Sequence, residues 1–269
     1  PHGAFKSIYP EKLASKIGVK DHVGNKHRSN SNGQRNHIGR HGFKIYFKQK
    51  AAYEMEGFCE LLTMYFASDC QMTDPKLLKK QVADAKKYRG NEFTEINGYV
   101  KSVWSDLLCF PVGKIAGKPE DNVVFENSWM QSRTFGGDRG HEGTDIMASE
   151  NVRGIYPVYS MTDGVVENIG WLRLGGYRIG IRSPSGAYFY YAHLAEYAKD
   201  FQIGETVSAG TFLGFMGDTG YSDVEGTTGN FAVHLHMGIY LNDKDGTEFS
   251  VNSYPMLSYL WERQGGALR

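Results

Sequence analysis

Cysteine is scarce in this chain. Three occur in 269 residues, Cys59, Cys70 and Cys109, and no two form a Cys-x-x-Cys pair. That argues against a cysteine-based zinc site and leaves open one disulfide plus a free thiol, or three thiols. Net charge is missing too: 30 basic side chains balance 30 acidic ones, so no global field draws the chain to nucleic acid. No apolar run approaches the roughly 18 residues that a membrane-spanning helix needs. Proline is low at 8, whereas glycine reaches 33 and concentrates in the second half. That bias suits a turn-rich β domain better than a helical one. The length allows one large domain or two modest ones. Because the chain opens on Pro1-His2-Gly3 without methionine, the expectation is a targeting or anchoring segment removed ahead of it.

Residues 1–50 are polar and basic. From Lys20 to Lys50 the basic side chains Lys20, Lys26, Arg28, Arg35, Arg40, Lys44, Lys48 and Lys50 face a single acid, Asp21, around the loop-like Asn30-Ser31-Asn32-Gly33. Such an arm reads as a solvated loop, or as a contact for an anionic wall polymer or a membrane surface. Its histidines, His22, His27, His37 and His41, have no alternating apolar partners and read as surface residues. Residues 51–107 are helical. Met55, Phe58, Cys59, Leu62, Tyr65 and Phe66 make one apolar face, and Leu78, Val82 and Ala85 a second. Phe93, Ile96, Val100, Trp104 and Leu107 make a third. Thr73-Asp74-Pro75 offers a cap followed by proline at the first helical position.

Phe110-Pro111-Val112-Gly113 ends the helical period, and residues 108–269 read as short β runs. Ser183-Pro184-Ser185-Gly186 joins two of them as a hairpin. The fold class is therefore α+β, a mainly antiparallel β domain preceded by a small helical region. The run Val233-His234-Leu235-His236-Met237 alternates apolar and imidazole side chains, so His234 and His236 share one face of a strand. Such a pair serves as a metal ligand set or as a hydrogen-bonded structural pair. Outside the basic arm and His2, the other histidines are His141 and His193, also in the β region. His141-Glu142-Gly143-Thr144-Asp145 adds a carboxylate four residues on, with Gly143 expected to free the backbone to aim both groups at one point. His141, Asp145 and one of His234 and His236 would make three N/O ligands, the set of a catalytic zinc site with an open position.

Gly140-His141-Glu142-Gly143-Thr144-Asp145, Tyr191-Ala192-His193-Leu194 and Val233-His234-Leu235-His236 resemble the three ordered motifs of the lysostaphin-type (LytM-like) zinc endopeptidases. Asp163-Gly164-Val165-Val166, Ile203 to Gly210 and Gly214 to Gly220 are similar to the spacers between them. The resemblance covers roughly residues 108–257 and implies Zn2+ held by His141, Asp145 and His236. It implies that His193 and His234 line the open side, where they orient or deprotonate water, stabilise the oxyanion and pass a proton to the leaving amine; which of the two is the base stays open. It also implies bacterial peptidoglycan as substrate, peptide-bond hydrolysis in stem or bridge, and an extracellular or cell-envelope location. A non-catalytic wall-binding scaffold on the same fold is the alternative. One departure stands out: some members carry a tyrosine six residues before the first zinc histidine, where this chain has Phe135.

Overall fold

The structure, a computed structural model, describes residues 58–67, 74–113, 115 and 123–264. The basic arm with its histidines, and Cys70, lie outside them. Cys59 and Cys109 are free thiols. The chain divides into two compact units between Trp104 and Ser105.

The helical unit holds α1 (Phe58–Ala67), α2 (Pro75–Tyr88) and α3 (Gly90–Trp104). Each turns its apolar stripe inward: Leu62 and Met64, then Leu78, Val82 and Ala85, then Phe93, Ile96, Val100 and Val103 are all buried. Thr63 ties α1 to α3, its hydroxyl reaching Asn97 Oδ1 at 3.1 Å. The expected cap is present, with Asp74 accepting from Lys76 N at 2.9 Å and Pro75 opening α2. Such a cap contributes about 1 kcal/mol. The helical period read through Leu107 stops at Trp104. Beyond it Leu108 and Cys109 donate their backbone N–H groups to the Met161 carbonyl, at 3.0 and 3.4 Å.

The second unit is built on twelve strands. They are β1 (Val123–Val124), β2 (Ser132–Arg133), β3 (Arg139–Gly140), β4 (Thr144–Ala148), β5 (Pro157–Tyr159) and β6 (Gly164–Leu172), then β7 (Gly176–Arg182), β8 (Tyr188–Tyr197), β9 (Thr206–Val207), β10 (Phe212–Met216), β11 (His234–Asn242) and β12 (Glu248–Val251). Ten join one sheet in the order β1-β4-β11-β8-β7-β6-β9, with β12 on β11, and β10 on β8 and β5; β2 and β3 form a separate ribbon. All described pairings are antiparallel, as the alternating sequence implies. The Ser183–Gly186 hairpin closes as expected: Gly186 takes φ 94° and Ser183 N donates to Ala187 O at 2.8 Å. The last helix, α4 (Tyr254–Arg263), buries Met256, Leu257, Leu260 and Trp261, and Trp261 meets Phe110 at 4.9 Å between ring centroids. No helix among the described residues is long and apolar enough to cross a membrane.

One core hydrogen bond sets a measurable cost. Tyr191 is fully buried, and its hydroxyl accepts from Met161 N at 2.8 Å. Tyr191→Phe leaves that N–H without an acceptor, and a buried unpaired donor costs about 1–3 kcal/mol. The expected result is a lowered urea midpoint with an unchanged m-value; an unchanged midpoint contradicts it.

Candidate active site

Register alone brings two of the five expected residues together. His236 stands opposite Asp145 on β4 and opposite Ala192 on β8, so His236 and Asp145 leave the sheet on one face. His236 Nδ1 lies 3.0 Å from Asp145 Oδ1. His141, just ahead of β4, is fixed through its backbone: its N–H donates to Gln131 O and its carbonyl accepts from Met130 N, both at 2.9 Å. His141 Nε2 then comes within 3.0 Å of both Asp145 Oδ1 and His236 Nδ1.

The donor set fits a bound metal. His141 Nδ1 faces away from the cluster, 3.0 Å from the Ser128 hydroxyl and 3.2 Å from the Ser128 carbonyl, so Nε2 is the nitrogen turned inward. Two imidazole nitrogens and a carboxylate oxygen thus converge, and a cation among them offsets their mutual repulsion. Two histidines and an aspartate form a ligand set for a first-row divalent metal. Burial opposes ionisation of Asp145, but its contacts with His141 and His236, and the influence of His236 and His234, carry the carboxyl far below the usual range. Asp145 Oδ2 is engaged separately, accepting from Arg133 Nη2 at 2.9 Å. The same nitrogen is 3.1 Å from His141 Nδ1.

Gly143 has a role different from the one the sequence suggested. Its part is space rather than a special backbone angle. A Cβ there would come within 2.7 Å of His236 Cε1 and 2.8 Å of the Met237 carbonyl. Any side chain would push His236 out of the cluster.

His193 arrives by a backbone irregularity. Ala192 is opposite His236, so in a regular strand its neighbour His193 would point to the other face. Instead His193 takes φ 63°, in the left-handed region, and the register with β7 shifts between Tyr191 and Leu194, across it. A bulge of this kind re-aims a side chain. The His193 ring consequently lies 4.7 Å from that of His234. His193 Nδ1 donates to the Thr219 carbonyl and His234 Nδ1 to the Ala232 carbonyl, both at 2.7 Å. Both imidazoles therefore keep Nε2 as the unprotonated nitrogen, and that of His234 is 3.7 Å from Asp145 Oδ1. Burial, with His234 and His236 nearby, pushes the His193 pKa well below its ordinary value. All five residues thus gather on one side of the sheet around β11.

Residues 139–247, which include all five, match peptidase family M23. A solved structure from Ruminococcus gnavus, assigned as a glycyl-glycine endopeptidase LytM, is 39% identical with a TM-score of 0.65. The similarity spans 84% of this chain and 88% of that one. The chain belongs to peptidase family M23. Within this metallopeptidase family, the L-Ala–D-Glu endopeptidase of Bacillus subtilis is 45% identical over 139 residues, which are 52% of this chain and 40% of that protein. Lysostaphin of Staphylococcus simulans is 33% identical over 104 residues, 38% of this chain and 18% of that protein. The chain thus spans less than half the length of either relative.

Several parts of this M23 site carried no sequence signal of their own. Ser128 and Arg133 lie ahead of the His141 motif, where only their contacts give them meaning. Thr219 lies inside the Gly214–Gly220 spacer, and its Oγ1 donates to Leu194 O at 2.7 Å. Phe135 is a packing residue here: it stacks on Tyr221 at 4.3 Å and 4°, with Arg173 Cζ 5.9 Å from its ring. Tyr221 in turn reaches Phe231 at 4.8 Å, and Phe231 reaches His193 at 4.6 Å.

Proposed function

We propose that this M23 chain is a zinc-dependent endopeptidase that hydrolyses peptide bonds of bacterial peptidoglycan in the cell envelope or outside the cell. The observation that carries the reading is the convergence of His141, Asp145 and His236 beside two further imidazoles whose free nitrogens are set by backbone carbonyls. Support comes also from the relatives, which are named as endopeptidases of L-Ala–D-Glu and of glycyl-glycine bonds.

In this reading His141, Asp145 and His236 hold zinc. When bound, zinc polarises the scissile carbonyl and favours ionisation of water at neutral pH. Arg133 keeps Asp145 Oδ2 occupied, so that Oδ1 faces the two histidines. His193 and His234 handle protons at Nε2, where the unprotonated nitrogen accepts a proton from water and then passes it to the leaving amine. The non-catalytic scaffold is disfavoured because all five side chains are present on one face.

The test uses the full chain loaded with zinc and incubated with isolated walls of several bridge types. New amino groups should appear, cease on chelation and return on adding zinc back; mass analysis of the fragments names the bond. Failure to release amines from any wall type would sink the peptidase reading.

A further inference from the structure

The face of the sheet that carries His236 continues away from the metal cluster as a floor of tyrosines. Gly238 on β11 is opposite Tyr190 on β8, which is opposite Gly180 on β7. By strand alternation Tyr240, Tyr188, Arg178 and Arg182 then share the face of His236. The Tyr190 ring lies 6.0 Å from that of His236, 6.2 Å from Tyr240 and 6.4 Å from Tyr188. Two of the phenols lie down over glycines. A Cβ on Gly180 would come within 1.9 Å of the Tyr188 hydroxyl, and one on Gly175 within 2.1 Å of the Tyr190 hydroxyl. The result is a low aromatic surface that begins at the metal-site histidine.

Two arginines of β7 border it, and they differ. Arg182 is spent: it donates to both carboxylate oxygens of Glu167 at 2.6 Å and to the Gly186 carbonyl at 3.0 Å, and it lies 4.9 Å over the Tyr188 ring. Arg178 Nη1, by contrast, is buried with no hydrogen-bond partner. The residue as a whole is half-buried. Arg139 Nε is likewise buried and unpartnered, and both arginines act electrostatically on the Tyr190 phenol. Buried unpaired guanidinium donors are costly, and folded proteins rarely keep them without a use.

We propose that Arg178 binds a carboxylate of the substrate, so that the tyrosine floor beside the metal site selects acidic peptides. The inference rests on the peptidase reading of the same face. A guanidinium fork matches a carboxylate through two parallel hydrogen bonds, which no neutral peptide group reproduces. Arg178 stands two strands from His236, about 10 Å at the usual strand spacing. An extended peptide covers about 3.4 Å per residue, so the carboxylate belongs to a residue within two or three positions of the scissile bond. Arg139, which also acts on the Glu142 carboxyl, adds positive charge near Tyr190.

The test compares acetyl-L-Ala-D-Glu-L-Lys amide with its D-Gln counterpart, measuring binding to the zinc-loaded full chain by calorimetry. The native chain should bind the acidic peptide roughly 10- to 100-fold more tightly, the range for hydrogen bonds to a charged group. Arg178→Gln should erase that preference by weakening the acidic peptide alone. Arg178→Lys keeps the charge but not the fork and should retain part of it; it also serves if the glutamine variant folds poorly. A native chain without preference, or a preference unchanged in Arg178→Gln, overturns the proposal. Amine release is read in the same samples. Acid-selective binding without cleavage leaves the Arg178 assignment standing and sinks the peptidase reading; cleavage without acid preference does the reverse.

Discussion

His236→Ala should remove both the metal and the hydrolysis. His236 contributes Nδ1 to the cluster at 3.0 Å from both His141 Nε2 and Asp145 Oδ1, and among the described residues no other imidazole stands ready to replace it. His234, which also approaches Asp145, has its Nδ1 committed to the Ala232 carbonyl and its Nε2 at 3.7 Å from Asp145 Oδ1. Loss of a group that merely hydrogen-bonds to a metal ligand already costs about 10- to 100-fold in affinity or activity. Loss of a ligand itself must cost more, because two remaining donors cannot enclose the ion. The measurement is zinc stoichiometry after dialysis against a weak chelator, beside amine release from walls. The near- and far-ultraviolet circular dichroism should stay native, since β11 is held by backbone pairing to β4, β8 and β12. One zinc per chain retained in a folded His236→Ala protein contradicts the ligand assignment.

Much of the site was legible because strand periodicity and register do the positioning. His-x-His on an alternating run puts His234 and His236 on one face whatever the tertiary context. Pairing β11 with β4 then sets Asp145 opposite His236. His193 is the opposite case. Simple alternation from Ala192 would send it to the far face, and its place beside His234 depends on a left-handed residue and a register shift that no local pattern announces. Only the resemblance to a family pointed to it. Arg133 and Ser128 were invisible for a different reason: they act through contacts with His141 and Asp145 across the β2–β3 ribbon, and such contacts exist only after folding. Strands β1 to β3 are two residues each, too short to show a period. The unexpected job of Gly143 has the same origin, because a glycine kept for space looks in sequence like one kept for a turn.

The second large effect separates metal binding from proton handling. His193→Ala and His234→Ala should each keep one zinc per chain, since neither atom belongs to the His141–Asp145–His236 triangle. Each should nonetheless lower kcat by about 10²- to 10⁴-fold, the usual contribution of a positioned acid or base. KM should change little, because the loss falls on the transition state rather than on ground-state binding. Both imidazoles have Nδ1 anchored to a carbonyl at 2.7 Å, so glutamine at either position could keep a hydrogen bond but not accept a proton. His193→Gln and His234→Gln should therefore be as slow as the alanine variants if the residue transfers a proton, and faster if it serves only, as the imidazolium, to donate a hydrogen bond to the developing oxyanion. The two positions need not give the same answer. If one glutamine variant recovers rate and the other does not, the unrecovered position is the proton carrier and its neighbour the oxyanion donor. Zinc lost from either alanine variant, or a kcat within threefold of native in both, would contradict the division of labour between the triangle and the pair beside it.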